Sequence, residues 1–142
     1  KGQVGAEQYD ILLYKAEAEY MLGDYDAARK IIATLREVDG DQPAYLEFQT
    51  QLDARQYIET ATKALNEGDT NTARTSLDQA KEAGLTNDKD YQFDELVYLE
   101  KTAQWQEAYA AVQTFLENYP GDADATRELE FLRTRVDEMA NN

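Results

Sequence analysis

Carboxylates are the side chains from which this sequence could build chemistry. It carries 29 Asp and Glu against 14 Lys and Arg, with no His and no Cys. The usual nucleophile–base pairs of covalent catalysis are therefore unavailable. Disulfides and thiolate metal sites are excluded for the same reason. Paired carboxylates can hydrolyse glycosides, but acidic residues at this density on helices produce close pairs by chance. Two clusters begin like calcium loops. Asp88-Lys89-Asp90-Tyr91-Gln92 has Phe93 where the loop needs Gly and Leu99 where it needs a closing Glu. Asp122-Ala123-Asp124 fails the same test, with Arg127 and Arg133 at those places. Helix capping is the role expected of both clusters. No cofactor, no metal and no enzymatic activity are expected.

The net charge of −15 narrows the partners. Nucleic-acid binders present basic patches that release counterions, and anionic membrane surfaces repel an acidic chain. No apolar run approaches the roughly 20 residues that span a bilayer. Acidity at this level keeps a helical surface soluble and monomeric, or it meets a basic partner. The sequence opens on Lys1-Gly2-Gln3-Val4-Gly5 rather than Met, which reads as a piece of a longer protein. Its 142 residues suit a single domain with its own core.

Positioning elements follow from punctuation and period. Ala, Leu, Glu and Gln are plentiful while Val and Ile are scarce, favouring helix over strand. Three segments share one grammar: Ala16…Gly23-Asp24-Tyr25-Asp26-Ala27-Ala28, Ala61…Gly68-Asp69-Thr70-Asn71-Thr72-Ala73, and Leu96…Ala103-Gln104-Trp105-Gln106-Glu107-Ala108. Gly23 and Gly68 supply the permissive turn, Asp24 and Asp69 the cap of the next helix, and the closing alanines a close helix contact. Gly40 and Pro43, then Gly84, then Pro120-Gly121 end successive hairpins. The expected helices are 6–22, 25–38, 43–67, 70–83, 88–103, 105–118 and 123–139, with no strand. They form hairpins over 6–38, 43–83 and 88–118, followed by a capping helix whose stripe is Leu129, Leu132, Val136 and Met139. The long helix 43–67 is either continuous or broken near Asp53-Ala54.

This pattern resembles the tetratricopeptide repeat: a small residue mid-helix, Gly at the turn, an aromatic two residues on, Ala three further, Pro at the close. Trp105, Ala108, Phe115 and Pro120 match it best, and Ala16, Gly23, Tyr25 and Ala28 nearly as well. Thr70 replaces the aromatic, Ala103 the turn glycine and Leu96 the small residue. The resemblance implies an all-α, right-handed α-α superhelix, lined inside by the first helix of each hairpin. It also implies a protein–protein interaction or scaffolding module that grips a peptide there. Alignment with the repeat places Asp10, Leu13, Glu17 and Tyr20 on that inner face, then Arg55, Thr62 and Asn66, then Asp90, Phe93, Val97 and Lys101. Such an acidic and aromatic lining suits a basic or amphipathic segment. Some members hold a C-terminal carboxylate with Lys and Asn clusters. The matching places here are Leu13, Glu17, Ile58, Thr62, Phe93 and Val97, so that mode is not expected. The alternative is a structural or regulatory segment packed against another domain of a longer protein. Residues 91–135 are also similar to the C-terminal repeats of tetratricopeptide lipoproteins from Gram-positive bacteria, which implies a cell-envelope location.

Overall fold

The computed structural model describes residues 6–141. They form seven helices: α1 (Ala6–Met21), α2 (Tyr25–Asp39), α3 (Pro43–Glu67), α4 (Thr70–Glu82), α5 (Lys89–Lys101), α6 (Trp105–Asn118) and α7 (Ala123–Ala140). No strand occurs among the described residues. α3 runs unbroken through Asp53-Ala54, so its insertion lengthens a single helix. Packing divides the chain into two compact units, residues 1–53 and 54–142.

In the first unit α1 and α2 pack as a hairpin. Ala16, Ala28, Ile32 and Leu35 are buried with Tyr45, Phe48 and Leu52 from the start of α3. Tyr20 stacks edge-on against Tyr25, the aromatic that follows the turn, at 5.2 Å between centroids. Leu12, Leu13 and Tyr9 close the side of this cluster.

In the second unit Ile58 and Ala61 of α3 meet Leu77 and Ala80 of α4 and Tyr91 of α5. Ala73 joins Ala64 and Leu65. Leu96, Ala108, Val112 and Phe115 bury Ala125 and Leu132 of α7, so the last helix does cover the third hairpin. Val136 is only half-buried and Met139 is exposed, since the final turns of α7 run past that cluster. Phe131, off the stripe, stacks on Trp105 at 5.9 Å.

The three turns are the same device. Gly23, Gly68 and Ala103 all take a positive φ, at 87°, 78° and 59°. In each, two amides fold back on the helix just ended. Asp24, Asp69 and Gln104 donate to the carbonyl five residues earlier, and the turn residue to the one three earlier. This is the Schellman closure, which satisfies carbonyls that a helix end leaves without partners. Asp24 and Asp69 then accept from the amides of Ala27 and Thr72, both at 3.1 Å. The alanines that follow, Ala28, Ala73 and Ala108, are fully buried.

Candidate binding surfaces

Both would-be calcium clusters cap helices. The Asp88 carboxylate accepts from the amides of Asp90 and Tyr91, and that of Asp122 from Ala125. Asp88 is also paired with Arg55 at 2.7 Å, and Asp90 pairs with the same guanidinium. Lys89 bonds Asp122 at 2.9 Å.

A cavity of about 540 Å³ opens beside this ion cluster in the second unit. α3 supplies Arg55, Ile58, Glu59, Thr62, Lys63 and Asn66, and α5 supplies Asp90, Phe93 and Asp94. The residues of each helix recur at three- and four-residue steps, so each contributes one face. Five sequence-derived positions meet here: Arg55, Thr62, Asn66, Asp90 and Phe93. Three of them, Arg55, Asp90 and Thr62, also tie the helices together. Arg55 is buried on Asp88 and Asp90, and the Thr62 hydroxyl bonds Asp94. Phe93 stacks edge-on against Phe115 at 5.5 Å. Val97 instead packs against the Ala64–Leu65–Ala73 cluster. Lys101 is exposed and does not line the cavity.

Asp94, absent from the expected site, is the most perturbed carboxyl of this cavity. It is 5% exposed. Burial pushes its pKa up to about 6, against the lowering effect of the Thr62 hydroxyl; Asp90 raises it further and Arg55 opposes. Its position one turn after Asp90 was the available signal, but spacing alone does not say which of two acids is covered.

The first unit holds a second cavity, of about 380 Å³, between α1 and the start of α3. Leu13, Glu17, Tyr20 and Met21 face Ala44, Glu47, Phe48 and Gln51 across it. Three expected residues, Leu13, Glu17 and Tyr20, therefore share one site. Asp10 is exposed outside it. Sequence reasoning missed Glu47, Phe48 and Gln51, because the insertion in α3 shifts the repeat register at its start. The charged lining residues, Glu17 and Glu47, are both acidic.

The tetratricopeptide repeat family model matches residues 3–52. That segment, about a third of the chain, matches the repeat, and the seven helices of the described residues agree with an all-α helical-repeat fold. Such repeats generally mediate protein–protein interaction or scaffolding and are typically non-catalytic. No curated protein and no solved structure matches the chain. Among the described residues no helix is long and apolar enough to cross a membrane.

Proposed function

We propose that the chain is a binding module that takes a basic, amphipathic protein segment on the first-helix faces of its hairpins. The observation that carries this reading is the α1–α3 cavity. Leu13, Tyr20, Met21 and Phe48 offer an apolar surface, while Glu17 and Glu47 supply two carboxylates and no cation among the described residues lines it. An apolar anchor flanked by Lys or Arg matches that lining in both shape and charge. The α3–α5 cavity is more mixed. Lys63 stands with Glu59, and Asp90 is already shared with Arg55, which suits polar rather than apolar groups. The net charge of −15 draws a basic segment in from solution.

The test is fluorescence anisotropy with a labelled Lys/Leu amphipathic peptide and its Glu/Leu counterpart. The basic peptide should bind and weaken steeply with salt, as exposed charge pairs do. Changing Glu17→Lys together with Glu47→Lys should weaken it by about tenfold, from two lost pairs and new repulsion. Equal binding to parent and double variant, or binding of the acidic peptide alone, would refute the reading.

A further inference from the structure

α1 and α5 can be compared position by position, because Gly23 and Ala103 close the same turn with the same pair of hydrogen bonds. Counting back from those turns, Ile11, Lys15, Ala18 and Leu22 stand in the register of Tyr91, Glu95, Tyr98 and Thr102. On α5 this face is covered by α4. Tyr91 is 6% exposed and clusters with Leu77 and Ala80. Glu95 receives a two-pronged pair from Arg74, at 3.0 and 2.6 Å. Tyr98 lies under the same guanidinium, 4.7 Å from the ring centre.

On α1 the corresponding face is bare. Ile11 is 64% exposed, Leu22 80% and the adjoining Tyr14 67%. Lys15 is exposed and forms no ion pair with any described residue. α1 is therefore apolar on two sides, one in the core with Leu12, Ala16 and Tyr20 and one in water. An apolar stripe on a helix is ordinarily turned toward a packing partner, with the charged residues left in water.

We propose that this outer face of α1 docks an amphipathic helix of a partner, seated as α4 is seated on α5. The internal pair also defines that helix's chemistry. It presents a stripe of small and aliphatic residues, as Ala73, Leu77 and Ala80 do, against Ile11, Ala18 and Leu22. Where α4 brings Arg74 to Glu95, the α1 register holds Lys15, so the docking helix carries a carboxylate there. A second copy of the chain fits less well, since two chains of charge −15 repel on approach. None of Ile11, Tyr14, Lys15, Ala18 and Leu22 lines either peptide cavity.

The test uses the full chain, isotope-labelled, titrated with two synthetic peptides of the α4 sequence, residues 70–83. One is unmodified and the other carries Arg74→Glu. The Arg74→Glu peptide should shift the resonances of Ile11, Tyr14, Ala18 and Leu22, and bind about fivefold tighter than the unmodified one, the scale of one exposed pair made and one repulsion removed. Lys15→Glu in the chain, an exposed change, should invert that preference. Ile11→Asp should abolish both. Shifts elsewhere, no shifts, or a preference untouched by Lys15→Glu would overturn the proposal. So would self-association of the chain alone through this face, detected by line broadening that grows with concentration.

Discussion

Replacing Ala103 with glycine isolates the conformational energy of one backbone position. Ala103 has φ of 59° and is the one non-glycine residue with positive φ among those described. Its turn is the counterpart of Gly23 and Gly68, with the same two closing bonds, 2.8 Å from Gln104 to the Leu99 carbonyl and 3.0 Å from Ala103 to that of Glu100. An L side chain in the left-handed region costs about 1–2 kcal/mol, from the methyl against its own carbonyl. Glycine relieves that strain but widens the unfolded ensemble, which offsets about 0.4–1 kcal/mol. Ala103 is exposed, so losing its methyl forfeits little packing. Ala103→Gly should therefore stabilise by about 1 kcal/mol, raising Tm by about 4 °C for a chain of this size. Gly68→Ala is the mirror experiment. A methyl there would meet no atom within 4 Å, so its expected loss of about 1 kcal/mol is conformational alone. Urea denaturation followed by helical circular dichroism reads both. A midpoint that falls for Ala103→Gly, or stays fixed for Gly68→Ala, would refute the strain argument.

The other expectations concern a cap, a core contact and a titration. Gln104 sits at the N-cap of α6 without a side-chain bond to it, where α2 and α4 have Asp24 and Asp69; Gln104→Asp should add about 1 kcal/mol, measured as a higher urea midpoint. Ala73 is fully buried against Ala64 and Leu65, so Ala73→Leu should destabilise by about 1–3 kcal/mol through overpacking; an unchanged midpoint contradicts the contact. Glu100, at the end of α5, has its carboxyl pKa pushed well above the usual range by burial first and then by the facing carboxyl of Glu128. The folded state holds this proton more tightly than the unfolded one, so the contribution is fully present below the ordinary glutamate range and is lost as pH rises through the raised value. Glu100→Gln should accordingly gain stability over the parent at alkaline pH and not at acidic pH; melting curves that differ by a constant amount across pH would exclude the pairing.

The helices, their turns and their caps were legible in the residues because they are set by neighbours within five positions. Gly23 needs only its own missing Cβ to take its conformation, and Asp24 needs only the amide three residues on. The small residues of the repeat were legible too, since a recurring alanine marks a contact too close for anything larger. What a helix face meets is another matter. Tyr91 and Ile11 are both apolar and share a register, yet one is buried under α4 and the other lies in water. Asp90 and Asp94 are one turn apart, yet only Asp94 is buried, and that burial pushes its pKa up to about 6. Arg55 read as a groove residue, and the fold spends its charge on Asp88 and Asp90, more than thirty residues away. Periodicity assigns a side chain to a face of its helix; burial and pKa depend on which other helix arrives at that face, and only the packed chain decides that.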